Sequence, residues 1–464
     1  MVERIHSYTN IFSCVIMSLL LTILLSPACG EEGMSSKEGE TTLLEEWREI
    51  LKYGIDTEVL EILKQIKERR EIALNQELVE MLSESLNTEV RTAILDYFRD
   101  QEEEAARDVA IVLLSLHEEL ENELIIALLR YLSEIGASES IGLMMELVEH
   151  SEVGVASAAI RALGKDTYGS RRRDEIADLL LDRLQDEEFD ETLKQEAILS
   201  LGSLKSEKAV DVLVELLADT TQDKVIRMYA ADSLGKIGDE RVIDPLKNLF
   251  SEKDALLRAY AASALANFNP DAVEDFLIQG LRDSNWKVRI ASARGFYRSK
   301  SPEVIDVLIY KARKDPVEAV RIEACKALGE IGSPKGLDTL RELYREERYS
   351  IEIRMACLDV LVEKDLGRTV GTIEEVVERH LDATLFKVKI LEQTARRLAH
   401  VKSPALKPVY RMFLASKNLA VKVQGIRGIL HNRFSDLRGL LVQLSKDDPH
   451  PGVRKEALAA LEQW

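Results

Sequence analysis

A pattern with a period near 33 residues governs what this chain can fold into. The stretch "VIRMYAADSLGKIGDERVIDPLKNLF" runs from Val225 to Phe250, and "AVRIEACKALGEIGSPKGLDTLRELY" returns from Ala319. With Arg227 as anchor, small residues stand at +3 and +6 and a large apolar one at +7. Arg258, Arg289, Arg321, Arg354 and Arg454 repeat the pattern, as do Lys194 and Lys422. Arg91, Ile125, Ala156 and Lys389 keep parts of it, which gives twelve anchors and eleven intervals averaging 33 residues. Such units cannot bury an apolar face alone, so each must stack on a copy before and a copy after it.

Each period predicts two helices. Ile226, Ala230, Leu234 and Ile237 share one helical face. Gly238 suits the left-handed residue that ends a helix. Asp239 can cap a following helix whose apolar side carries Val242, Leu246, Leu249 and Phe250, with Pro245 expected to bend it. The segment from Asp56 to Leu86 is expected to be one degenerate unit, and "TTLLEEWREILKYG" before it a capping helix. The expected fold is all-α: a solenoid of about 12–13 stacked helix pairs over residues 41–464.

The segment "VRIEACKALGEIG" from Val320 resembles the second helix of HEAT repeats. More closely, it is similar to the short HEAT-like units named after phycobilisome lyases. The resemblance covers about residues 56–464. It implies a right-handed superhelix with first helices on the convex side and second helices on the concave side. It also implies a surface suited to holding other macromolecules, although the fold carries many unrelated functions.

The N-terminus predicts export. Arg4 lies in a short polar region, an apolar run spans Ile11–Leu25, and Ser26-Pro27-Ala28 precede Cys29. A Cys at this place resembles the lipobox of bacterial lipoproteins, in which that Cys takes a diacylglycerol. The match departs from the pattern, because Leu25 sits one place early and Pro27 precedes Ala28. Cleavage after Ala28 by ordinary signal peptidase and an uncleaved anchor are the other readings. The expected organisation is a signal peptide over 1–28, an acidic tether over 29–40 and the solenoid thereafter. The expected location is the bacterial cell envelope, as a membrane-anchored lipoprotein with Cys29 lipidated. Cys325 and Cys357 are expected as buried small residues, and a disulfide between neighbouring helices is chemically open to them.

Charge narrows the partners. The net charge is −20, which disfavours nucleic acid. Residues 381–464 nevertheless hold 15 Lys and Arg against 7 Asp and Glu, near +8, so the rest is near −28. This asymmetry can steer an anionic partner to the C-terminal end or align copies head to tail. The candidate contact residues there are Lys387, Lys389, Arg396, Arg397 and Lys422, in a set that includes Lys402, Lys407, Arg411 and Lys417. Arg171, Arg172 and Arg173 are expected in an exposed loop inserted in the longest interval. The recurrent Arg is expected to pair with an Asp four to six residues before it, namely Asp223, Asp254, Asp283, Asp315 or Asp448. Trp286, Phe296 and Tyr297 are expected in the core. No metal-type His spacing, phosphate loop, dinucleotide fingerprint or nucleophile elbow occurs, so neither catalysis, a metal nor a cofactor is expected. The expected role is a non-enzymatic scaffold for protein or other envelope partners. The runner-up is a bilin-lyase-like enzyme or accessory subunit on the same fold.

Overall fold

The computed structural model describes residues 35–165, 169–299, 301–381 and 388–464, and every regular element among them is helical. Thirteen helix pairs follow one another among these residues. The chain forms two compact units that part between Leu143 and Met144. Among the described residues no helix is long and apolar enough to cross a membrane.

In the first unit the pairs are Ser35–Tyr53 with Asp56–Arg69, Asn75–Glu84 with Thr88–Gln101, and Arg107–Ser115 with Asn122–Glu134. Ser35–Tyr53 therefore belongs to a pair rather than forming a separate cap. It begins inside the segment expected as a tether. Trp47 and Leu51 carry it into the core, and the helix ends at Tyr53 before Asp56 begins the next. The stretch from Asp56 is thus the second helix of one pair followed by the first helix of the next. Tyr97, Phe98 and Tyr131 fill the centre, with Tyr97 and Phe98 edge to face at 5.1 Å. The Tyr97 hydroxyl lies within hydrogen-bond distance of Glu71 O (2.6 Å) and Asn75 Oδ1 (2.7 Å), so its burial does not leave it unpaired.

The second unit carries the remaining ten pairs, the first of which opens with Ile141–Glu146 at the boundary. Eleven of the twelve anchors are the fourth residue of a second helix, from Arg91 in Thr88–Gln101 to Arg454 in Pro451–Glu462. Capping sets this register. Asn87, Asp190, Asp223, Asp254, Asn285, Ser350 and Asn418 each stand four residues before an anchor. Each side chain accepts a main-chain N–H of the first turn. Gly238 and Gly332 end their helices at φ +78° and +67°, as the sequence predicts for Gly238. Pro245 is the third residue of Ile243–Asn248. Its missing N–H would have no intrahelical partner there, so it interrupts no helical bond. A 3-10 turn, Glu240–Val242, makes the entry that a bend was expected to make.

Second helices of consecutive repeats touch through small residues. A Cβ on Gly202 would lie 2.6 Å from Ser233 Cα, and one on Gly235 would lie 2.7 Å from Ala264 Cα. Each glycine stands at +8 of one repeat and faces the +6 residue of the next. Ser200 and Ser233 at +6 donate back to Ile160 O (3.0 Å) and Ile198 O (2.8 Å) of the preceding helix. The small positions of the pattern are therefore contact points between backbones.

Candidate partner-binding surface

The recurrent Arg works between repeats, which corrects the expected pairing within one turn. Two columns are present where the spacing suggested one. The residue at −4 caps its own helix. The carboxylate at −6 receives the anchor of the preceding repeat. Arg258 bonds Asp283 through Nε (2.7 Å) and Nη2 (3.0 Å), while its Nη1 donates to Glu252 O and Lys253 O. Arg289 holds Asp315 the same way at 2.9 Å twice, with Nη1 on Asp283 O and Ser284 O. Arg227 reaches Glu252 (2.5 Å) and Lys422 reaches Asp448 (2.5 Å). The long side chain spans the gap to the next repeat because its own turn supplies only carbonyls at that height. Burial opposes ionisation of Asp283 and Asp315. Arg258 and the Asn285 amide overcome it at Asp283, and Arg289, the Val317 amide and Lys311 at Asp315, so both carboxyls lie below the ordinary value. At Arg321 the −6 position of the next repeat holds Arg348, and Arg321 Nε is buried without a hydrogen-bond partner.

The ladder is open at Arg91. Its Nη2 donates to Ser83 O (3.2 Å), its Nε is buried without a partner, and burial lowers its pKa. The −6 position of the following repeat is Glu119, in the 3-10 turn His117–Glu119. No ion pair joins the two, and both line a cleft of about 620 Å3. Its apolar walls include Leu86, Val109, Val112, Leu116 and Leu120, and Asp108 and Glu121 also border it. Leu86, Val112 and Leu116 are 91%, 60% and 47% exposed. Sequence reasoning missed this cleft. Its signals were the loss of the +3 and +6 pattern at Arg91 and two leucines in turns, where polar residues are usual.

The expected contact residues are scattered. Arg171, Arg172 and Arg173 are not in a loop: they follow Ser170 in the first turn of Ser170–Leu184. Arg is a good helix former, and Gly169 supplies an extended residue at which the helix can start. Cations there oppose the helix dipole, and Glu175 offsets them with bonds to Arg171 (3.3 Å) and Arg172 (2.7 Å). Arg171 remains 93% exposed. In the C-terminal set Lys389 and Arg396 are exposed on Val388–Leu398. Arg397 pairs with Asp359 (2.7 Å) and Lys422 with Asp448, so those two hold repeats together. Cys29 and Lys387 lie outside the described residues. Phe296 is buried as expected and Tyr297 is half-buried, its hydroxyl donating to Glu323 (2.5 Å). Trp286, the first residue of its helix, is 42% exposed and outside the core.

Arg397 also lines a second cleft, of about 530 Å3, with Tyr297, Lys326 and Lys364. Lys364 pairs with Glu330 (3.0 Å) and Glu363 (2.9 Å). Its charges are largely matched, whereas the first cleft holds an unmatched one. Among the described residues no group of His, Cys, Asp and Glu could hold a metal ion.

Stacked helix pairs with contact surfaces and ladder rungs between repeats define an α-solenoid. The chain belongs to the spirochaete HEAT repeat protein family, whose model matches residues 51–460. No curated protein matches it. Among solved structures it is similar to the complex of CpcE and CpcF of phycocyanin lyase from Nostoc sp. PCC7120. That match has 19% identity and a TM-score of 0.33, covering 51% of this chain and 92% of that one. It is also similar to the karyopherin Kap121p, at 13% identity and a TM-score of 0.42 over 93% of this chain. The E. coli protein YibA matches at 22% identity and a TM-score of 0.38, over 57% of this chain and 95% of that one. The chain spans about half the length of Kap121p, 54% of it.

Proposed function

We propose that this protein is a non-enzymatic binding scaffold of the cell envelope, exported by its N-terminal segment and anchored through lipid on Cys29. The observation that carries the binding role is the open rung at Arg91. A cleft with exposed Leu86, Val112 and Leu116 around a buried guanidinium that has no carboxylate partner presents what a partner protein fills with apolar side chains and one carboxylate. At Arg227, Arg258, Arg289 and Lys422 the same position is closed by the protein's own Asp or Glu. Lys389 and Arg396, exposed on one helix, offer a second, purely electrostatic surface that steers an acidic partner.

The test is affinity capture from envelope extract with the full chain, beside Val112→Glu with Leu116→Glu and beside Lys389→Glu with Arg396→Glu. Both pairs of substitutions lie on exposed positions, so folding is kept. A partner lost with the first pair locates binding at the open rung. One lost only with the second moves it to the basic end. Capture unchanged by both overturns the reading.

A further inference from the structure

Cys325 and Cys357 are the only cysteines after Cys29. They sit in the second helices of consecutive repeats, Glu318–Ile331 and Ile351–Lys364, and their Sγ atoms are 3.5 Å apart. Both are free and fully buried. Corresponding contacts elsewhere use Ala or Ser: Ala231 and Ala261, or Ala262 and Ser292, occupy the same +4 and +3 positions. A small residue at either position meets the packing need. Two thiols facing each other at one interface, with none elsewhere in the repeats, exceed it.

We propose that Cys325 and Cys357 are a site of intramolecular disulfide formation that ties two consecutive repeats together when the chain folds in an oxidising compartment. Closing the gap from 3.5 Å to a bond of about 2.05 Å needs side-chain rotation within helices already in contact. The chemistry is thiol–disulfide exchange. One Cys, as thiolate, attacks a disulfide oxidant of protein or small-molecule type and expels one thiol. The second Cys attacks the mixed disulfide and expels the other. Two protons and two electrons pass to the oxidant, and one S–S bond forms in the protein. Burial, then the neighbouring Cys325, pushes the Cys357 thiol well above its ordinary range. The folded repeat thus keeps Cys357 protonated and both sulfurs shielded from solvent, so the bond forms while the interface is open and is afterwards protected from reductant. The closed loop is 32 residues, long enough for a marked restriction of the unfolded chain.

The oxidising setting rests on the export reading, and the experiment separates the two. The full chain is refolded with glutathione disulfide and mapped by mass spectrometry. A Cys325–Cys357 linked peptide in the monomer is expected, with a thermal midpoint higher by roughly 5 °C that dithiothreitol reverses. The Cys325→Ala chain should show no reductant-sensitive shift. Free thiols at both positions after oxidative refolding, or links between molecules only, overturn the proposal. Alkylation trapping in intact cells gives the second arm. A pair that links in vitro but is reduced in cells keeps the site and removes the export reading.

Discussion

Replacing Asp315 by Ala tests the inter-repeat ladder where it is most buried. The Arg289 and Asp315 side chains are 8% and 0% exposed, so solvent screens their interaction little. The carboxylate takes two bonds from Arg289, one from Lys311 (3.2 Å) and one from the Val317 amide (3.0 Å). Substitution leaves two cations facing a vacated site and removes the turn that leads into Glu318–Ile331. Breaking one partner of a buried pair costs about 3–5 kcal/mol, chiefly through the charge left behind. Because each repeat contacts only its neighbours, the loss should be local. Hydrogen exchange read by mass spectrometry should show amides of Trp286–Gly295 and Glu318–Ile331 exchanging ~100-fold faster or more, with Glu191–Ser203 unchanged. The double variant Arg289→Met, Asp315→Leu removes both charges and should recover most of the protection. A single variant within about 1 kcal/mol of wild type, or a double variant no better than the single, would refute the reasoning.

Glycine contacts make a second test: Gly235→Ala should lower stability by about 1–2 kcal/mol in urea unfolding, since overpacking against Ala264 exceeds the gain in helix propensity. Gly439→Ala, with nothing within 4 Å, should be neutral or stabilising by the same assay. The carboxyls of Asp283, Asp315 and Asp448 are held below their ordinary value, Asp448 by Lys422 and the His450 amide against its burial. Their contribution is complete above about pH 4 and is lost as pH falls through the lower folded values, so circular dichroism should show melting falling steeply below pH 4 and no matching loss from pH 5 to 8. Cys29→Ala should move the protein from the membrane to the soluble fraction; unchanged partition would sink lipid anchoring.

Much of the fold was legible because a repeat writes the same signal twelve times. Eleven of the twelve anchors and the helix-ending Gly238 stand where the pattern put them. The direction of the Arg was not legible. Asp254 and Asp283 both precede an anchor by a few residues, and only geometry separates a helix cap at −4 from a partner of the previous repeat at −6. Pairing of the first helices failed for a related reason. The segment from Asp56 has the length of one unit, and its phase is set by the burial of Trp47 and Leu51 in a helix whose sequence resembles no other copy. The open rung was hidden because Arg91 and Glu119 carry the residue types of a closed one, and only their separation marks a site.

The forward reach of each Arg makes the array indifferent to the ancestry of its neighbours. A repeat brings one anchor for its successor and, where −6 is acidic, one acceptor for its predecessor. Duplication or excision of a whole period between such repeats therefore rejoins a donor to an acceptor and leaves no charge stranded. Where donor and acceptor do not meet, as with Arg91 and Glu119, a cleft opens instead. Length can then vary by copying, while a cleft opens wherever a donor and its acceptor fail to meet.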